Sequence, residues 1–418
     1  MKLKMSRVKI ENIGPIKNVN FDLNKVNIIM GPQSSGKSTI AKIISYCQWV
    51  EKRFILDGDF KYSFSEQFIS FHRVSKEYFS KDSLIEYESD YVKISYKGIK
   101  HKFSISKKRE YTKYTKSKNI YIPAERNFVS VIPNLGKYKE SNDNIMSFLY
   151  DWYDTKKKYS KSKKLSILNL NVKYYHIEEG DTDILTINNS KKEISLKNAS
   201  SGLQSIIPLT MLIDYLSNDF FKEPYTNSVD EKEEIAKIFV NNFSYILDNI
   251  ERIKDLTETL KVGKNDITLS DKEFKKIIDL ASLRSKYHYS SFIIEEPEQN
   301  LYPETQRDFV YFLLKNINNL ERNHQALLTT HSPFILYALN NCMMGYKVSE
   351  NLAEDEKNDL LSYNSWINPD LVSVWEIDKN NGTLIDIKDP KTGTISKNFF
   401  NQFTNELMNE YYEMLSVL

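Results

Sequence analysis

A chain of 418 residues can hold two or three average domains or one elaborated unit. With 40% hydrophobic and 27% charged residues it has an ordinary globular composition, and a formal charge of +2 excludes a whole-molecule attraction to nucleic acid. The only cysteines, Cys47 and Cys342, exclude a disulfide framework and fit a reducing compartment, and no run of about 18 apolar residues offers a membrane span. The start, Met1 to Arg7, lacks the apolar stretch of a signal peptide, so a cytoplasmic location is expected.

Leu3 to Ile10, Ile16 to Leu23 and Val26 to Met30 read as three strands, with turns at Gly14-Pro15 and Asn24-Lys25. The last strand runs into Gly31, Pro32, Gln33, Ser34, Ser35, Gly36, Lys37, Ser38 and Thr39, which fits the phosphate-binding pattern G-x-x-x-x-G-K-[ST] at every constrained position. Ile40, Ile43, Ile44 and Cys47 then fall on one face of a helix. Strand, glycine turn and helix N-terminus aim backbone N–H groups at a phosphate. Lys37 is expected to reach the β- and γ-phosphates of ATP, as a solvent-facing charge when no nucleotide is present, and Ser38 to ligate Mg²⁺.

A β-meander entering such a loop, worded VKIENIGPIKNVNFDLNKVNIIMGPQSSGKST, resembles the heads of ABC-class ATPases, including RecF and SMC relatives. The resemblance implies an α/β fold. Its parts would be an N-terminal antiparallel meander, a P-loop α/β core and a helical signature and insertion subdomain. Segments 1–135, 136–285 and 286–418 would then form one ATPase unit.

Further along, residues 40–80 read as mostly helical, and 83–105 alternate like strands. Ile120 to Arg126 reads as a strand leaving sharply at Pro123, where the family delivers a polar residue toward Mg²⁺. Glu125 and Arg126 are the candidates, against an ordinary solvated turn. Two lysine tracts, Lys107 to Lys118 and Lys156 to Lys164, are interleaved with tyrosines. They are either a phosphate-backbone contact or a solvated face.

Ser200-Ser201-Gly202-Leu203-Gln204 resembles the ABC signature, with Ser201, Gly202 and Gln204 in matching positions. In the family this helix start closes on the γ-phosphate held by another protomer; a plain N-cap is the alternative. Residues 217–285 read as a helical insertion with Ile235, Ile238, Phe239, Phe243 and Ile246 on one face, and no sustained heptads. Phe292 to Glu298 resembles Walker B, which assigns Glu295 to the metal and Glu296 to the attacking water. Thr330-His331-Ser332-Pro333 resembles the switch-histidine strand. The tail reads as a hairpin turning at Asn380-Asn381-Gly382, with Asp386 and Asp389 as turn residues. A final amphipathic helix carries Phe400, Phe403, Leu407, Tyr411, Met414 and Leu418 on one side, expected to pack on the head.

These motifs and their order resemble the RecF/OLD-like group of ABC-type ATPases, in which Glu296 and His331 would be catalytic. Relatives of this length without a fused Toprim nuclease resemble the ATPase components of anti-phage systems such as Septu and PARIS. That resemblance implies a homodimer or higher oligomer closed by an ATP sandwich, and a separate effector, nuclease or toxin. A RecF-like repair ATPase clamping DNA and a nucleotide-gated scaffold without turnover are the other readings.

Overall fold

Short apolar runs that alternate between two faces set the centre of the molecule. The computed structural model describes residues 6–132, 143–187, 192–222, 286–318, 321–396 and 398–418. Within these the chain opens with β1 (Arg7–Ile13), β2 (Ile16–Asp22) and β3 (Val26–Met30), then α1 (Lys37–Asp57) and α2 (Phe64–His72). Next come β4 (Phe79–Glu88), β5 (Val92–Lys97), β6 (Lys102–Lys107), β7 (Lys116–Ile122), α3 (Phe128–Val131) and α4 (Asn144–Lys156). A small meander follows, β8 (Leu165–Ile167), β9 (Val172–Ile177), β10 (Thr182–Ile187) and β11 (Glu193–Ser195), leading to α5 (Ser201–Ser217). The second half holds β12 (Tyr287–Glu295), α6 (Pro303–Ile317), β13 (Gln325–Thr330) and α7 (Pro333–Val348). It closes with α8 (Glu354–Asn358), β14 (Val372–Asp378), β15 (Thr383–Asp386) and α9 (Phe399–Leu415).

The central sheet runs β15-β14-β3-β13-β12-β7, parallel except for the edge strand β15. Val26, Ile28, Ile120, Ile122, Phe292, Ile294 and Leu328 point into one core, under α4 to α7. Their odd neighbours Ile29, Tyr121, Ile293 and Leu327 point into the other, under α1 and the antiparallel sheet β2-β1-β4-β5-β6. Burial on both faces explains why these strands read as continuous apolar runs.

The expected α/β class with an antiparallel N-terminal sheet is what the chain adopts, with one change of partner. β1 and β2 form a hairpin, but β3 leaves it to lie between β13 and β14. The third strand of the expected meander belongs to the core. The tail ties the two sheets together: the Gly382 carbonyl accepts from the Lys17 amide at 3.0 Å, and a Cβ on Gly382 would lie 2.6 Å from the Pro15 carbonyl. Gly382 also has φ 58°, so glycine is required there twice over.

α9 departs from expectation. None of its residues is buried, and Phe403, Leu407, Tyr411 and Met414 are exposed; only Phe400 near its start packs on the core. An amphipathic pattern specifies an apolar face and leaves open what covers it. The expected helical insertion lies outside the described residues from position 223 to 285. No helix among the described residues is long and apolar enough to cross a membrane.

Several lysines of the two tracts are paired within the chain, while Lys107, Lys113, Lys157 and Lys161 are exposed. Lys108 pairs with Glu88 at 2.8 Å, Lys118 with Asp151 at 2.6 Å and Lys163 with Asp219 at 2.8 Å. Lys156 is buried between Asp181 and Asp183. The interleaved tyrosines serve the same end: Lys116 sits 4.5 Å from the Tyr287 ring centre and Lys164 4.7 Å from that of Tyr175.

Candidate nucleotide site

The candidate residues collect where β3, β12 and β13 end, at the carboxyl edge of the parallel sheet. Gly36 holds φ 105°, and a Cβ there would lie 2.3 Å from Ile16 Cδ1 on the first hairpin. Glycine is thus imposed by the fold itself as well as by any phosphate. α1 begins at Lys37 directly after this turn, and Thr39 is buried in its first turn. Gln33 and Ser34 are exposed, while the Ser35 hydroxyl is buried without a hydrogen-bond partner. An orphaned hydroxyl in a glycine-bounded loop fits a phosphate group arriving there.

Lys37 corrects one expectation: it is 4% exposed rather than solvent-facing. Its ammonium donates to the carbonyls of Gly31 at 2.9 Å and Pro32 at 2.8 Å, and lies 3.3 Å from His331 Nδ1. Burial pushes its pKa down to about 8, against the upward pull of Glu296, Glu298 and Glu295. This has a measurable consequence. Below pH 8 the free protein holds a charged Lys37; above it, binding phosphate requires proton uptake, so ATP affinity should fall by roughly tenfold per pH unit. An affinity that stays level to pH 9.5, measured by calorimetry, would remove Lys37 from the site.

His331 links the two halves. Its Nε2 lies 3.2 Å from Glu296 Oε1 while Nδ1 faces the Lys37 ammonium, an arrangement that a neutral ring satisfies with its proton on Nε2. The His331 hydrogen bond holds the Glu296 carboxyl below its ordinary range, so Glu296 is ionised at neutral pH. Glu296 itself has φ 42°, a left-handed conformation that costs energy in a non-glycine residue.

Glu295 points to the α1 side, where Tyr121 donates to it at 2.6 Å and Ser38 lies against it. Burial pushes its carboxyl upward. Serine hydroxyl plus carboxylate is a hard oxygen pair suited to Mg²⁺. Tyr121 was not foreseen, although parity carries the signal: Tyr121 pairs with Ile293 in the parallel register and so shares a face with Glu295. Glu298, also unforeseen, is half-buried and accepts the His331 backbone N–H.

Arg126 is neither a metal-side ligand nor part of a solvated turn. It is fully buried, and its guanidinium donates to the carbonyls of Glu295 at 2.9 Å, Glu296 at 2.9 Å, Pro297 at 3.2 Å and Ser205 at 3.2 Å. Desolvation lowers its pKa to about 10, which still leaves it charged. Arg126 therefore clamps the strained Glu296 turn to α5. Glu125 remains exposed, close enough to raise the Glu295 pKa. Arg126→Leu should destabilise the fold by about 2–4 kcal/mol, because several buried carbonyls lose their donor at once. A change in urea unfolding free energy below about 1 kcal/mol would show the clamp to be dispensable.

At the start of α5, Ser200 is the N-cap residue, Ser201 is exposed and Gly202 is half-buried. A Cβ on Gly202 would meet the Asn300 carbonyl at 3.0 Å, so this helix start packs on the turn that follows Glu296. Gln204, by contrast, turns inward and donates to the carbonyls of Leu196 and Lys197. The structure thus brings the P-loop, Glu295, Glu296 and His331 together, leaves Ser201 facing outward, and gives Gln204 an internal partner.

Comparison with known proteins adds one family match. Residues 284–336 fit the model described as an AAA ATPase domain. No curated protein matches. Among solved structures, the SMC head domain from Thermotoga maritima is 11% identical, with 93% of this chain and 100% of that one covered and a TM-score of 0.38. The Smc head with an extended coiled coil, bound to the C-terminal domain of ScpA derived from Pyrococcus furiosus, is 9% identical over 98% and 100%, with a TM-score of 0.39. The recombination mediator RecF with ATPrS is 12% identical over 92% and 99%, at 0.31. With TM-scores this low, the reading of the site rests on this chain's own residues. The matched segment contains the strand ending in Glu295 and the strand ending before His331, with the P-loop beside them. The site thus sets a glycine-bounded loop and helix start beside the two strands of the matched ATPase-domain segment.

Proposed function

We propose that the chain hydrolyses ATP, that ATP closes it into a homodimer or higher oligomer, and that closure switches a separate effector in anti-phage defence. The observation carrying the hydrolytic part is the run Glu296–His331–Lys37, linked at 3.2 and 3.3 Å. An ionised Glu296 can orient and deprotonate a water, while Lys37 supplies positive charge where phosphoryl charge accumulates. Ser38 and Glu295 would hold Mg²⁺, which when bound neutralises charge on the β- and γ-phosphates. Ser201 and Gly202 would complete the site of a neighbouring protomer, and the segments 1–135, 136–285 and 286–418 would work as one unit. The effector reading is supported by the resemblance to stand-alone defence ATPases.

Phosphate release from ATP by the purified chain tests the chemistry. His331→Ala should retain ATP binding and lose turnover by about 10²-fold, since the hydrogen bond that aims Glu296 is gone. Wild-type protein that binds ATP-Mg²⁺ but releases no phosphate would favour the nucleotide-gated scaffold instead.

The RecF-like reading makes a separate prediction. With Lys108 and Lys156 already engaged by Glu88, Asp181 and Asp183, tight sequence-independent duplex binding is not expected. A phosphate-driven complex weakens steeply as salt rises. Nanomolar duplex binding with that salt slope, abolished by neutralising Lys107, Lys108, Lys156 and Lys157, would move the function to DNA repair.

A further inference from the structure

At the opposite end of the sheet from the P-loop, where β7, β12 and β13 begin, lies a polar cavity of about 350 Å³. That volume is in the range of small-molecule sites. Its most informative wall is Glu51 on α1. Glu51 is 6% exposed and accepts hydrogen bonds from Tyr87 at 2.9 Å and Ser89 at 2.6 Å. Among the described residues no lysine or arginine pairs with it; Lys108, nearby, is spent on Glu88 and the Ser89 carbonyl. A buried carboxylate without a counter-charge is costly, and burial pushes its carboxyl up to about 7. Asp90, also lining the cavity, adds to the negative potential, while Arg322 in the same wall adds a positive charge that is directed to the His288 carbonyl at 3.1 Å and the Phe221 ring.

The second observation is Tyr114. It lines the same cavity and is 3% exposed. Tyr91 packs edge-on against it, ring centres 5.1 Å apart, and Tyr289 also lines the cavity. A buried carboxylate without a counter-charge and several tyrosine rings lining one space are complementary to a cation with an organic body. A bare metal ion is the poorer fit: no group of three or more His, Cys, Asp or Glu able to hold one occurs among the described residues.

We propose that this cavity binds a small organic ammonium ion, its charge against Glu51 and its body between the tyrosine rings. Its occupant would rest on α1 and β12, the same two elements that present Lys37 and Glu295 at the nucleotide site. The proposal does not depend on how ATP is used.

Calorimetry on the nucleotide-free full chain tests it, with putrescine and agmatine as probes and 1,4-butanediol as an uncharged analogue of similar length. The amines should bind saturably and the diol should not. Glu51→Gln, close in shape, and Tyr114→Phe should each weaken amine binding by about tenfold or more, since each removes a polar partner inside a buried site. Absence of saturable binding for both amines overturns the proposal. So does equal binding of the diol, or undiminished amine binding in Glu51→Gln. If Glu51→Gln does not fold, Tyr114→Phe decides, because that change removes a single oxygen and keeps the ring.

Discussion

Lys37→Ala should weaken ATP binding by about 10²–10³-fold while the protein remains folded. Truncating one partner of a buried, charge-assisted contact costs about 2–5 kcal/mol, and each 1.4 kcal/mol is tenfold. The fold should survive because the ammonium is itself a burdened group: burial lowers its pKa to about 8, so the folded state disfavours its charge. Only the Gly31 and Pro32 carbonyls and His331 Nδ1 lose a partner, at a loop mouth that water can reach. Circular dichroism should be unchanged and calorimetric ATP binding nearly absent. Wild-type affinity in the variant would detach the P-loop motif from nucleotide binding in this chain.

The parts of this site that are local in the chain could be read directly. A glycine loop between a buried strand and a helix start needs no tertiary information, nor does an apolar strand ending in Glu295-Glu296. What required the fold was pairing between distant segments. β3 follows β2 after a short turn, and alternation alone cannot say that it pairs in parallel with β13 and β14 instead. Arg126 is a lone charge after a proline, and nothing nearby reveals that carbonyls from 295–297 and 205 converge on it. Lys37 was misread for a similar reason: a loop lysine is exposed until His331, from the far half of the chain, closes over it. The lysine tracts show the same limit from the other side, since their aspartate and tyrosine partners come from other elements. α9 shows the converse, a legible apolar face that the described residues leave open.

Glu296→Gln should separate closure from hydrolysis. Glutamine keeps the side-chain length and can still face His331 Nε2, at 3.2 Å in the parent, but it cannot take a proton from water. ATP-Mg²⁺ should bind as in the parent, turnover should fall by about 10²–10³-fold, and the protein should accumulate in its ATP-closed assembly. The start of α5 rests on the turn after Glu296, with Gly202 against the Asn300 carbonyl, while Ser201 faces outward with no γ-phosphate of its own chain assigned to it. A helix start with exposed N–H groups is an anion site waiting for a charge from elsewhere. Ser201→Arg places a long side chain across that helix start and should block closure without touching Lys37, so ATP binding persists and the mass stays that of the open form. Light scattering with and without ATP on both variants reads the difference directly: Glu296→Gln heavier with ATP, Ser201→Arg unchanged. Identical masses in every condition would leave residues 200–204 as a helix cap and nothing more, and would do so even if Lys37→Ala abolished ATP binding as expected.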